Sequence, residues 1–413
     1  MGKIKNKKIR PREENLKILW AGKNERVPVN NSQYSFDSKS REEAYINAQF
    51  TTDRELKLYR DYRAEWYRRA KEFDAGDIPL SVCAELVSTC NLRCTMCYTL
   101  TEEFQNNIIG AQRMMPWPLV KSIIDECADL GVPSMLFSWR GEPTLYSSRY
   151  NGKRYKFPDV LQYAREKGIL EITCLTHGQA IDDEFAEAIV DAQPSWLSFS
   201  IDGLEKSYNL IRTPPKGIDN AFEAVTNNIK KLVKIRDAKG LTRPQIRTNT
   251  IFPAIAENPD KYHDFMESIG VGWITVNELR DYRDKIVPED KLIKDWACQY
   301  PFQRLVLSAN GIILPCTGGR HEQPGLVIGR IKGSGPKQIR NDKGEIISIS
   351  MPERTLYEAW HCKKLKQIRE VHKNNNRCKI DPGCRNCRHG VIKNGVNWVP
   401  EDWDSAKMDW QWD

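Results

Sequence analysis

Leu80-Ser81-Val82-Cys83-Ala84-Glu85-Leu86-Val87-Ser88-Thr89-Cys90-Asn91-Leu92-Arg93-Cys94-Thr95-Met96-Cys97 joins a short, mostly apolar run to three closely spaced cysteines. A run of this length bounded by polar residues reads as a buried strand, and the C-x3-C-x2-C loop leaves its carboxyl end. The same rhythm repeats downstream. Strands are expected at 80–87, 134–139, 170–176, 196–201, 245–251 and 272–277, with helices at 117–130, 158–167, 182–192, 218–238 and 259–268. Gly131 and Gly168 stand where helix C-caps belong, and Gly240 closes the fourth helix. Six strands alternating with helices predict an α/β fold, a partial (β/α)6 TIM-like barrel over 80–290. Barrels of this kind carry their chemistry at the carboxyl ends of the strands.

Upstream, Thr52 and Glu55 have capping-box spacing, and Leu56, Tyr59, Tyr62, Trp66, Ala70 and Phe73 recur every three or four residues. An amphipathic helix packing on the barrel is expected over 51–79. Residues 1–50 read as a basic, irregular arm in which Lys3, Lys5, Lys7, Lys8, Arg10 and Arg12 precede the first acid. A solvated terminus is the simpler reading, so nucleic acid is not an expected partner. Downstream of 290 the rhythm stops. Residues 291–395 hold a smaller unit with Gly turns, a turn at Asn341-Asp342-Lys343-Gly344 and a helix near 362–373, and a Trp- and acid-rich tail occupies 396–413.

The 413 residues carry 63 Lys and Arg against 55 Asp and Glu, and no apolar run approaches the ~20 residues of a membrane span. The basic start is followed by no apolar signal core, so a cytoplasmic protein without a membrane partner is expected. Twelve cysteines are too few for a disulfide scaffold, and their clustering points to metal or iron–sulfur ligation in a reducing compartment.

Cys90, Cys94 and Cys97 can ligate three corners of a [4Fe–4S] cluster, leaving one iron open to an exogenous ligand. Zinc would need a fourth ligand that no nearby His or Cys supplies. The loop after strand one resembles that of the radical S-adenosylmethionine (SAM) enzymes, and the likeness extends over about 80–390. Arg140-Gly141-Glu142-Pro143 after strand two resembles their Gly-Gly-Glu-Pro segment. Thr176-His177-Gly178 stands where many members have Thr-Asn-Gly, and Ser200-Ile201-Asp202-Gly203 with Arg212 resembles their Ser-x-Asp-Gly signature. The resemblance implies that SAM chelates the open iron and that Glu142 accepts from its ammonium. Arg140 or Arg212 would offset the carboxylate, Ser200 and Asp202 would hold the ribose or methionyl group, and the backbone near Asn277 would hold adenine. Gly141 and Thr176 would complete the cofactor contacts. Two residues depart from the family pattern, Arg140 for Gly and His177 for Asn; the simpler reading of His177 is a hydrogen-bonded loop histidine.

Cys298 and Cys316 flank an Asn310-Gly311 hairpin turn, and Cys384-x2-Cys387 lies farther on, preceded by Cys378. This resembles the SPASM/Twitch domain of radical SAM enzymes, which implies an auxiliary [4Fe–4S] cluster on Cys298, Cys316, Cys384 and Cys387. A zinc site on Cys378, Cys384, Cys387 and His389 is the rival. Cys127 and Cys362 read as core residues. Cys174 reads as a buried thiol, with hydrogen-atom donation into the barrel as its functional alternative.

The expected function is reductive cleavage of SAM and hydrogen-atom abstraction from a small-molecule substrate, a carbohydrate or sugar nucleotide, leading to oxidation, dehydration or epimerisation. The analogy to glycan-modifying members rests on the aromatic helix, the Arg-Gly-Glu-Pro variant and the Cys384-x2-Cys387 ending. Modification of a ribosomal peptide or protein side chain is the alternative. A low-potential electron donor such as flavodoxin or ferredoxin is the implied partner.

Overall fold

The computed structural model describes residues 29–30, 39–94, 97, 99, 104–105, 112–212, 218–255, 258–277, 289, 292–318, 322–323, 325–340 and 345–387. The basic arm at 3–12, the turn at 341–344, His389 and the tail at 396–413 lie outside the described residues.

Two helices precede the barrel, α1 (Lys39–Gln49) and α2 (Asp53–Glu72). Six strands then alternate with helices: β1 (Ser81–Ala84), α3 (Trp117–Leu130), β2 (Ser134–Leu136), α4 (Phe157–Glu166), β3 (Glu171–Thr176), α5 (Asp183–Ala192), β4 (Trp196–Ser200), α6 (Ala221–Ala238), β5 (Gln245–Ile251), α7 (Pro259–Ser268) and β6 (Trp273–Asn277). All six strands are parallel, in spatial order β6-β5-β4-β3-β2-β1. The expected strand–helix alternation is borne out, and α3 and α7 match their expected spans residue for residue. Gly131 caps α3 at φ 75°, donating its N–H to the carbonyls of Ala128 and Cys127.

The sheet continues past β1. Strand β7 (Arg304–Leu307) lies parallel to β1, with Leu305 opposite Val82. β8 (Ile312–Leu314) and β9 (Gly329–Ile331) follow antiparallel, and β10 (Glu353–Arg354) adds parallel to β9. The C-terminal segment and the barrel therefore share one eleven-stranded sheet and one apolar core, running from Val82 and Ile172 to Ile313, Trp360 and Leu365. Helices α8 (Leu356–His361) and α9 (Lys363–Lys373) pack on this extension. Val29–Asn30 pairs with the outer edge of β6.

α2 is capped as expected, the Thr52 side chain accepting from the Glu55 N–H at 3.3 Å. Helix α1 corrects the expectation of an irregular segment up to residue 50. Its weak helical periodicity hides Tyr45 and Ile46, which join Phe50, Tyr59, Tyr62 and Trp66 in a second apolar cluster. The cluster abuts Leu80, Trp196 and Trp273, all at the amino ends of barrel strands. Tyr45 stacks on Trp196 at 4.4 Å, and the Tyr62 hydroxyl donates to buried Glu171 at 3.1 Å. The aromatic stripe thus plugs the barrel floor and leaves the carboxyl ends for chemistry. Among the described residues, no helix is long and apolar enough to cross a membrane.

Candidate active site and a second cysteine site

At Gly141 the chain leaving β2 is pressed against the root of the cysteine loop. A Cβ there would run into the carbonyl oxygens of Val87 and Thr89, so the position admits no side chain without moving backbone. The next N–H, of Glu142, donates to Thr89 O at 2.9 Å. This contact carries the Glu142 carboxylate to the base of the loop. Its Oε1 accepts from Thr176 Oγ1 at 2.5 Å, Thr144 Oγ1 at 2.7 Å and Thr144 N at 3.1 Å; Oε2 accepts from His177 N at 2.9 Å. Glu142 is 3% exposed, and these donors fix its orientation.

His177 ties the same node to the cysteine loop. Its Nδ1 accepts from Gln179 N at 3.0 Å, which leaves the proton on Nε2 to donate to Asn91 Oδ1 at 2.8 Å. Burial lowers the imidazole pKa and keeps the ring neutral. His177 is the hydrogen-bonded loop histidine of the simpler reading, and Asn91, missed in the sequence, is its partner.

Cys90 reaches solvent, Cys97 is half-buried and Cys94 is buried. The protein packed around Cys90, the Glu142 charge and the neighbouring Cys94 and Cys97 push its thiol up to about 12. Cys97 Sγ lies 2.9 Å from Thr99 Oγ1, and Arg212 Nη1 donates to Cys94 Sγ at 3.7 Å. Three thiols gathered on one loop beside a fixed carboxylate and a guanidinium suit a three-cysteine [4Fe–4S] cluster, whose iron would displace the thiol protons.

Two expected SAM contacts are otherwise engaged. Asp202 accepts from Arg212 Nε at 2.8 Å and Nη2 at 2.7 Å, while its other oxygen accepts from Ile251 N at 3.1 Å. It is a holder for Arg212, not a free ribose ligand. The Arg140 guanidinium, buried, spans Glu85 (Nε–Oε1 2.9 Å, Nη2–Oε2 2.7 Å) and Glu322 (Nη1–Oε1 2.9 Å). It therefore joins the barrel to the C-terminal segment and does not offset a SAM carboxylate. Lys337 also bonds Glu322, and both cations hold that carboxyl below its usual range against the opposing effect of burial. Alongside, Trp139 Nε1 donates to Thr317 O at 3.1 Å. Glu85 was legible as a lone acid inside an apolar strand; Glu322 and Lys337 left no such signal. Ser200, opposite Asn249, and Asn277, opposite Ile251, sit at the carboxyl ends of β4 and β6. Cys174 is 1% exposed, donates to Trp196 O at 3.7 Å and belongs to the core.

A cavity in the C-terminal segment is lined by Cys298, Cys316, Cys384 and Cys387, with Trp296, Tyr300, Leu326 and Ile368 among its walls. At Gly318 a Cβ would stand 3.5 Å from Cys316 Sγ and 3.6 Å from Cys387 Sγ, so these two thiols close on the same backbone. Cys378 is not among the lining residues. His372 of α9, unnoticed in the sequence, is: its Nδ1 accepts from Cys298 N at 3.2 Å and its Nε2 lies 3.4 Å from Cys384 Sγ. Burial, helped by Arg377, pushes its pKa down to about 4. Its spacing after Leu365, Ile368 and Arg369 places it on the buried stripe of α9. Among the described residues, no three His, Cys, Asp or Glu side chains are drawn around a single metal-ion position. Four thiols lining one cavity suit a fully ligated [4Fe–4S] cluster.

Residues 85–269 match the model of the Radical SAM superfamily. That stretch is similar to a radical SAM domain. The superfamily uses SAM and a [4Fe–4S] cluster, as the sequence led one to expect. The chain is 30% identical over 148 residues to the Fe-coproporphyrin III synthase of Methanosarcina barkeri, covering 35% of this chain and 33% of that protein; the match thus spans about a third of that relative's length. It is 22% identical over 337 residues to the tungsten-containing aldehyde ferredoxin oxidoreductase cofactor-modifying protein of Pyrococcus furiosus, covering 73% of this chain and 85% of the relative. Among solved structures, native anSMEcpe with bound AdoMet shares the fold at TM-score 0.51 and 15% identity, covering 76% of this chain and 89% of its own. The same enzyme with AdoMet and the Kp18Cys peptide gives 0.50 and 15%, covering 78% and 91%.

Proposed function

We propose that the protein is a radical SAM oxidoreductase that binds SAM over the loop of Cys90, Cys94 and Cys97 and carries an auxiliary [4Fe–4S] cluster on Cys298, Cys316, Cys384 and Cys387. The observation that carries the reading is the Glu142 node, a buried carboxylate oriented by Thr144, Thr176 and His177 beside the cysteine loop. When bound, these groups supply one-electron reductive cleavage of SAM to methionine and a 5′-deoxyadenosyl radical, with the auxiliary cluster as electron acceptor. Glu142 would accept from the SAM ammonium. Arg212, held by Asp202, would be the cation for the SAM carboxylate. Asn91 and His177 keep the loop in place, and Gly141 sets its distance from Glu142. A flavodoxin or ferredoxin in a reducing compartment supplies the electron.

Of the two thiols that redox-neutral epimerisation could use as hydrogen donor, Cys174 and Cys378, the first is committed to core packing, which weakens that route. The aromatic helix and Arg140, two grounds for the glycan analogy, serve the barrel floor and the seam to the C-terminal segment. The carbohydrate or sugar-nucleotide reading then rests on the Cys384-x2-Cys387 ending alone, and it is one substrate class to test. A peptide side chain is the other, because a peptide accompanies one fold neighbour. Reduced, reconstituted enzyme is expected to release 5′-deoxyadenosine from SAM and to place substrate deuterium in it. Absence of that product with every class would overturn the reading.

A further inference from the structure

We propose that His372 tunes the auxiliary site by donating its Nε2–H to the Cys384 sulfur, raising the reduction potential of the cluster held there. The proposal rests on the auxiliary-cluster reading above. It starts from a backbone contact: Cys298 N–H points at His372 Nδ1 at 3.2 Å, so Nδ1 must offer its lone pair. The ring proton then resides on Nε2, which faces Cys384 Sγ at 3.4 Å. One ring therefore bridges two of the four cysteines, accepting from the main chain of one and donating to the sulfur of the other. His372 is 1% exposed and lines the same cavity as the four thiols. The ring is shielded from bulk solvent, on the same buried stripe of α9 as Leu365 and Ile368.

Hydrogen bonds to cluster sulfurs are among the levers that set iron–sulfur potentials. A donor aimed at a thiolate stabilises the reduced, more negative cluster more than the oxidised one, so it raises the potential. His372 is thus a positioning residue that favours acceptance of an electron at this end of the molecule.

The test uses the full chain carrying Cys90→Ala, Cys94→Ala and Cys97→Ala, so that a single cluster reports. Iron content and the reduced-state EPR signal first establish that this cluster is present; no iron would overturn the auxiliary reading and this proposal with it. With the cluster present, His372→Phe is expected to lower the midpoint potential by about tenfold in the reduction equilibrium, roughly 59 mV for one electron. His372→Gln, whose amide can accept from Cys298 N–H and donate to Cys384, should recover most of the shift at equal iron content. An unchanged potential in His372→Phe would overturn the proposal. Should that variant fail to bind iron, the parent labelled with 15N-histidine decides. Pulsed EPR is expected to show a weak 15N coupling to the reduced cluster that His372→Gln removes; no such coupling overturns the assignment.

Discussion

The loop of Cys90, Cys94 and Cys97 opens at the carboxyl end of the barrel among charged side chains, whereas Cys298, Cys316, Cys384 and Cys387 line a cavity walled by Trp296, Tyr300, Leu326 and Ile368. Around the first, Glu142 and Arg212 are each tethered by other groups, so they can meet a zwitterionic ligand without rearranging. Around the second, the imidazole of His372 lies against a sulfur. A site that exchanges a charged ligand needs fixed charges of both signs. A site whose ligands all come from the chain needs mainly exclusion of water and a suitable dipole. Preorganisation serves both, by ion pairs in one and by packing in the other.

The sharpest break between the two sites comes from replacing Cys90, Cys94 and Cys97 together with Ala. About four irons per chain should be lost together with all SAM cleavage, while the second site keeps its iron. Iron analysis with chromatography of 5′-deoxyadenosine checks this, and full iron content would show that the first loop holds no cluster. Next in size is Arg140→Met, which leaves Glu85 and Glu322 buried without their shared cation. A loss of about 3–5 kcal/mol in chemical denaturation is expected, with both sites loosened because the seam between them opens. A loss under 1 kcal/mol would mean that the two regions stand independently. Glu142→Gln should keep both iron complements and weaken SAM binding about tenfold, or ~1.4 kcal/mol, by calorimetry. Unchanged affinity would reduce the Glu142 node to scaffolding. Smallest of all, Cys378→Ser should leave iron content and potential unaltered; loss of metal would return the zinc alternative to the second site.

The sequence made the barrel plain because its strands are short apolar runs with helical periodicity between them, and that pattern needs no knowledge of partners. The four motif segments could be placed for the same reason, each standing where a strand ends. Side-chain engagement was another matter. Arg140 looked available for SAM because Glu322, one of its two carboxylate partners, lies far along the chain and approaches only once β7 docks on β1. Asp202 looked open to a ligand, but Arg212 and Ile251 N take three of its roughly four lone-pair sites. α1 escaped notice because its apolar residues form no regular stripe, and what places them is the aromatic floor they meet. His372 gave a signal, an imidazole on the apolar face of a helix, but its meaning required the cavity.

The pairing of β7 with β1 also has a bearing on how the protein is made. Strand β1 carries the first cysteine loop on its carboxyl end, yet one of its two neighbours is synthesised more than two hundred residues later. Closing so long a loop is entropically slow, and on the ribosome it must wait until β7 has emerged. Until then β1 is a bare edge and the cation of Arg140 lacks one of its carboxylates. Iron delivered to the nascent chain before that point would meet an unanchored loop, so loading of a cluster there is expected to follow emergence and docking of β7. A strand translated late thereby acts as an inspection step for a loop translated early.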